Sequence, residues 1–331
     1  MNDTTLLGPW IRRFLLEHLV GERNLSLNTQ KSYRDMLILL LPFLAARVGK
    51  AVDQLLVVDL SGTTTRKFLD HLEVKRRCCI STRNQRLGGI HALAKFIGTN
   101  RPEYISWAGE IHQVPFKKYA APGIACLDRA EMHALLGAPD RSSPQGEREY
   151  ALLLFLYNSG ARASEAAQLI IADLDWRARS VQILGKGGKR RTCPLWPMTL
   201  KALRPLTAGR DPAERVFLNR LSEPLTRSGI YAIVKRAAET ARRTTASLTN
   251  KHIGPHMVRH STASHLVRAG VDLNTIRAWL GHVSLDTTNI YAEIDIGTKA
   301  RALAACIPTG QRPRITPWRD RPTLMDFLHS L

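Results

Sequence analysis

Four residues in the last third of the sequence have types and spacings suited to work on an anion. They are His256 and Arg259 in a His-x-x-Arg run, His282 in Leu280-Gly281-His282, and Tyr291. Three residues apart on a helix, His256 and Arg259 share a face and can address one negative group. A guanidinium offers planar, paired donors to a phosphate, and an imidazole titrates where proton traffic at neutral pH needs it. A phenol, with an ordinary pKa of about 10, stays protonated there unless a neighbour takes its proton.

The elements that must position these groups can be read from apolar spacing and caps. Residues 257–269 place Val258, Ala263, Leu266 and Val267 near one another, and Gly270 suits the C′ stop of that helix. Asp272 caps a second helix, Leu273 to Leu280, which ends at Gly281, so that His282 starts a loop. Ser284 or Asp286 can cap the next helix, which carries Tyr291 on a short, movable element.

Taken in order, these motifs resemble the tyrosine recombinases, also called phage-type integrases. In that family H-x-x-R, L-G-H and a downstream Tyr mark the second half of the active site. The first half, an Arg after a "T/S-G-x-R-x-S-E" turn and a Lys in a hairpin, is matched by Ser159-Gly160-Ala161-Arg162-Ala163-Ser164-Glu165 and by Gly185-Lys186-Gly187-Gly188-Lys189. Leu25 to Tyr33 is similar to the start of the family's core-binding domain. The likeness runs over roughly residues 10 to 295.

The resemblance implies a site-specific DNA recombinase that cleaves and rejoins strands through a covalent 3′-phosphotyrosine, with Arg162, Lys186, His256, Arg259, His282 and Tyr291 as its catalytic set. Arg162 and Arg259 would clamp the phosphate, where preorganised donors act most strongly on the charge that grows in the transition state. Tyr291 would be the nucleophile, His256 its base, and His282 a donor to the scissile phosphate. Lys186 would protonate the departing 5′ oxygen, with Lys189 left open for the same task. Glu165 is expected to orient a neighbouring side chain. No cofactor or metal is required, because the clamp neutralises charge as a cation would.

Composition agrees with a polyanionic partner. The 331 residues carry 48 Lys+Arg against 28 Asp+Glu, a net charge of +20, and each phosphate neutralised releases condensed counterions. With 44% hydrophobic residues the chain can build two cores. The most apolar run, Leu37 to Ala46, is too short to span a membrane, and no secretory leader is apparent, so a cytoplasmic, nucleoid-associated protein is expected. Five cysteines without a C-x-x-C pair indicate neither a disulfide framework nor a zinc site.

The expected fold is mainly α with a small β-hairpin: a two-domain clamp on double-stranded DNA. Helical periodicity over residues 10–20, Asn28–Arg47, Thr63–Glu73, Ser81–Ile97 and Arg101–Ile111 builds a DNA-binding domain over residues 1–111. Residues 112–125, HQVPFKKYAAPGIA, are the linker, residues 126–307 the mixed α/β catalytic domain, and residues 308–331 a tail ending in a short apolar helix. In the second domain Asp128 and Glu131 form a capping-box pair, Glu147–Asn158 is an apolar helix, residues 179–195 a hairpin, and Ser228–Lys251 a basic helix.

Candidate DNA contacts are Lys75, Arg76, Arg77, Arg83 and Arg86 around one helix start, Lys117 and Lys118 in the linker, and Lys235, Arg236, Arg242 and Arg243. The resemblance further implies a homotetramer on paired sites, with the tail docking on a neighbouring protomer. Integration of a mobile element, transposition, and resolution of chromosome or plasmid dimers share this chemistry, and of these a mobile element is the expected setting. Two other readings fit parts of the pattern: a type IB topoisomerase-like nicking-closing enzyme, and a catalytically silent DNA-binding regulator.

Overall fold

The computed structural model describes residues 5–119 and 125–281, except for the side chain of Lys186. The chain divides into two compact units, Met1–Ala121 and Pro122–Leu331. Among the described residues no helix is long and apolar enough to cross a membrane.

The first unit is helical. Helix α1 (Leu7–Arg13) continues as a wider π-helical segment, Phe14–Glu22, and is followed by α2 (Leu27–Val48), α3 (Gly62–Val74), α4 (Ile80–Asn100) and α5 (Ile105–His112). Ser26 caps α2 by accepting from the Thr29 backbone N–H, and Ser61 caps α3 through Thr64, as the local sequence favours. The core joins Trp10 and Phe14 to Leu40, Phe68, Leu87, Ile90 and Ile97. Trp107 of α5 closes one end, its indole N–H donating 2.6 Å to the Leu60 carbonyl.

The start of the expected linker is held against this unit. Val114 is buried, the Asn84 side chain bonds both the backbone N–H and the carbonyl of Lys117, and Phe116 packs edge-on against His91. Linker composition signals flexible chain, but here Asn84 and Glu73 supply the partners that such a stretch usually finds in water.

The second unit opens with α6 (Arg129–Gly137), whose capping box is present with both bonds at 2.8 Å. The apolar α7 (Pro144–Ser159) and short α8 (Ala163–Gln168) follow. Next come β1 (Leu174–Asp175), β2 (Ser180–Leu184) and β3 (Arg190–Pro194), then α9 (Pro197–Thr207), α10 (Arg227–Arg242), α11 (Pro255–Arg268) and α12 (Leu273–Leu280). The strands form an antiparallel sheet in the order β1-β2-β3, with Val181 opposite Cys193 and Ile183 opposite Arg191. Leu152, Phe155, Val181, Ile230, Val234 and Val258 meet in its core.

Helix α10 ends at Arg242, short of the Lys251 limit that charge and periodicity suggest. Hydroxyls compete for the carbonyls beyond that point: Thr244 Oγ1 donates to the Ala241 carbonyl and Thr249 Oγ1 to that of Ala246. The Arg242 side chain then turns back to donate to the carbonyls of Leu248 and Lys251.

Candidate active site

Helix α7 ends at Gly160, whose φ of +60° places it in the left-handed region. Two residues on, Arg162 is the N-cap of α8, and Glu165 of α8 accepts from the Arg162 backbone N–H at 2.9 Å. The same carboxylate accepts from Arg162 Nη1 at 2.6 Å and from Arg191 Nη2 at 2.7 Å. Burial opposes ionisation of Glu165, whose side chain is 4% exposed. The hydrogen bond and charge of Arg191, and the N–H groups of Arg162, outweigh that and hold the carboxyl below its usual range.

Arg259, on α11, is 3% exposed. Its Nη1 donates to the Gly160 carbonyl and its Nη2 to the Leu280 carbonyl, both at 2.6 Å. Arg191 approaches the same helix end from the sheet, with Nε donating to the Trp279 carbonyl at 2.8 Å. Two guanidiniums thus hold the last carbonyls of α12, the end that favours cations. One of them reaches back to the turn before Arg162, and the other to the carboxylate beside it.

The packing leaves no slack. A Cβ placed on Gly160 would stand 2.5 Å from Leu280 Cδ2, and one on Gly281 would stand 3.1 Å from Arg191 Cδ. Gly281, at φ +67°, ends α12 in the left-handed conformation that glycine adopts without strain.

Arg162 lies on the wall of two cavities. One, of about 470 Å³, is also lined by Arg227, Tyr231 and His256. The other, of about 710 Å³, is lined by Lys189, Arg191, Arg277 and Trp279 among others. The His256 imidazole has an exposed edge, yet its pKa is lowered, first by the hydration lost to surrounding protein and then by Arg259, Arg162 and Arg227. That lowering favours the neutral ring, the form able to accept a proton.

The structure brings Arg162, His256 and Arg259 into one neighbourhood. Of the hairpin that carries Lys186, the backbone makes a tight turn over Lys186–Gly188, and Lys189 reaches the larger cavity. His282, Tyr291 and residues 308–331 lie outside the described residues. Among the described residues no cluster of three or more His, Cys, Asp or Glu is placed to hold a metal ion.

Three residues of this region were not singled out from the sequence: Arg191, Arg227 and Arg277. Arg191 had a readable signal. On β3 it shares parity with Cys193, opposite Ile183 and Val181, and those three are buried. An arginine on the buried face of a strand requires an acidic or carbonyl partner.

The candidate DNA contacts divide. Arg83 is 5% exposed, donates to the Pro115 carbonyl and lies 3.3 Å from Glu73. It is thus an internal strut and not a DNA contact. Arg86 donates to the Ser32 carbonyl, and Arg242 braces the loop described above. Lys117 pairs with Glu73 at 2.8 Å and Arg236 with Glu149 at 2.5 Å. Lys75, Arg76, Arg77, Lys118, Lys235 and Arg243 are exposed. His260 and His265 also lie on α11, where His265 Nδ1 sits 2.8 Å from the Tyr157 hydroxyl.

The model of the phage integrase family matches residues 125–296. Integrase/recombinase y4rC of Sinorhizobium fredii is 32% identical over 335 residues, covering 100% of both chains. Tyrosine recombinase XerC of a Roseiflexus species is 30% identical over 91% of this chain and 92% of its own. The crystal structure of the XerH site-specific recombinase bound to its palindromic difH substrate superposes with a TM-score of 0.65. It is 23% identical and covers 85% of this chain and 81% of that one.

Proposed function

Because the chain belongs to the phage integrase family and is a tyrosine site-specific recombinase, we propose that it exchanges double-stranded DNA through a covalent 3′-phosphotyrosine, with Tyr291 as nucleophile. The phenol oxygen attacks the scissile phosphorus, its proton passing to His256, while the bond from phosphorus to the 5′ oxygen breaks. The departing oxygen takes a proton from Lys186. The tyrosine ester keeps the bond energy for rejoining, by the reverse steps, to another strand.

The observation that carries this reading is the Arg259 bridge from Gly160 to Leu280. It ties the turn before Arg162 to the residue two before His282, so three motifs far apart in sequence are held at one place. Arg162 stands on the cavity shared with His256. A neutral His256 suits the base, and Glu165 orients Arg162.

Exposed Lys75, Arg76, Arg77, Lys118, Lys235 and Arg243 are the backbone contacts of this reading, with both units meeting the duplex. Assembly is a homotetramer on paired sites in the cytoplasm, residues 308–331 dock on a neighbouring protomer, and the setting is a mobile element. The full-length similarity to a protein named integrase/recombinase supports that last point.

The test is a duplex nicked next to the scissile phosphate, so that the cleaved end is lost and the adduct accumulates. The expected result is a denaturation-resistant protein–DNA adduct with the native chain and none with Tyr291→Phe. Binding without an adduct would leave a silent regulator, and relaxation of supercoils without exchange between two sites would leave a nicking-closing enzyme.

A further inference from the structure

Arg191 has no part in the chemistry above, yet it is built firmly into the wall of the site. Its side chain is 9% exposed. Nη2 donates to Glu165 Oε2 at 2.7 Å and Nε to the Trp279 carbonyl at 2.8 Å. The chain at Gly281 passes so close that a Cβ there would stand 3.3 Å from Arg191 Nη1. Glu165 in turn holds Arg162 Nη1 at 2.6 Å. One continuous set of contacts therefore runs from Arg162 through Glu165 and Arg191 to the carbonyl three residues before His282.

We infer that Arg191 is a positioning residue for strand cleavage, aiming the Arg162 guanidinium through their shared carboxylate and fixing the point from which the chain leaves for His282. The inference rests on the functional reading above. Two physical arguments carry it. The first is charge: a carboxylate facing Arg162 alone would cancel that cation, whereas one shared between two guanidiniums leaves a net positive charge at the cavity wall. Arg162 then keeps its attraction for a phosphate while its direction is set.

The second argument is geometry. Nε and Nη2 lie on one edge of a rigid planar fork, so holding Glu165 with one fixes where the other meets the Trp279 carbonyl. A lysine at this position brings the charge but only a single nitrogen on a flexible stem. It can satisfy Glu165 or Trp279, but not both at the same spacing. A cleavage site that depends on both contacts thus distinguishes the two side chains, while a simple ion pair does not.

The experiment uses the full chain and the nicked duplex, reading affinity by gel shift, adduct rate at saturating DNA, and the thermal midpoint. Arg191→Met is expected to lower the adduct rate about a hundredfold, the scale of a small misplacement of reacting groups, while affinity for the duplex, which many exposed cations set, falls far less. Arg191→Lys is expected to recover part of that rate. A merely structural role would lower rate, affinity and thermal midpoint together with no recovery in Arg191→Lys, and that result overturns the inference, as does a wild-type rate in Arg191→Met.

Should Arg191→Met not fold, Arg191→Lys decides alone: a wild-type rate overturns the inference, and a reduced rate at unchanged affinity supports it. A native chain that forms no adduct overturns the functional reading and this inference together. A normal native adduct alongside unimpaired Arg191 variants overturns this inference only.

Discussion

The guanidinium of Arg259 donates to the carbonyl of Gly160 across 99 residues of sequence, from the same side chain that holds Leu280. A buried cation is costly unless it is paired or fully hydrogen-bonded, and here backbone carbonyls at two helix ends supply the partners. The residue proposed to clamp the phosphate is therefore also a brace within the protein.

Replacing that brace should separate charge from reach. Arg259→Lys keeps the cation but cannot span both carbonyls. The loss of one charge-assisted hydrogen bond predicts a stability decrease of about 1.5–3 kcal/mol by urea unfolding. The adduct rate should fall at least a hundredfold, on the scale of one lost transition-state donor. Retention of the native rate would show that the double contact is not needed for cleavage.

At Gly160 the constraint is steric and conformational at once. Gly160→Ala should cost about 1–3 kcal/mol, because φ is positive and the new methyl meets buried Leu280. Leu280→Ala removes the obstacle but opens a cavity. In a double-mutant cycle the two changes should therefore cost less together than the sum of each alone. Strict additivity would mean that the methyl finds room elsewhere.

Acid should weaken the second unit. Burial is the main cause that lowers the pKa of His260 and His265 below the ordinary 6.5. A group whose folded pKa is lowered in this way binds fewer protons folded than unfolded, so its contribution is complete above 6.5 and is lost as pH falls below it. The urea midpoint should drop as the pH falls below about 6.5. His256, also lowered, should place the acid limb of the adduct rate below 6.5; a limb above that value would remove it as the base.

Salt dependence can sort the basic residues. Lys235→Ala should lower the slope of log K against log salt by about 0.9, the loss of one phosphate contact, with the thermal midpoint unchanged. Arg83→Ala should leave the slope unchanged and lower the midpoint, because Arg83 is enclosed with Glu73 and the Pro115 carbonyl. The reverse pattern would return Arg83 to the DNA-facing set.

The sequence made those elements legible whose signals are local. Helix α12 runs from Leu273 to Leu280 between its Asp272 cap and Gly281, as the caps alone suggest, and Asp128 with Glu131 opens α6. The burial of Arg83 follows from periodicity itself. It lies one turn before Leu87 on the stripe that continues through Ile90, Ala94 and Ile97, all buried, so the inward face of α4 already included it. Helix α9 was not read at all, since its buried positions are Thr199, Leu203 and Thr207, and threonines hide an apolar stripe. Strand β1 has two residues, too few to show alternation. Partners set by tertiary contact, such as Arg191 with Trp279, have no signature in local spacing.

The backbone N–H of Leu127, at the entrance to the second unit, donates to Ser261 Oγ 134 residues later, and Lys251 reaches back to Glu131. A ribosome making this protein must thread out Lys251 and Ser261 before these two bonds to the start of the second unit can form. A chain cut short before Ser261 would therefore lack the bonds that close the entrance to the second unit.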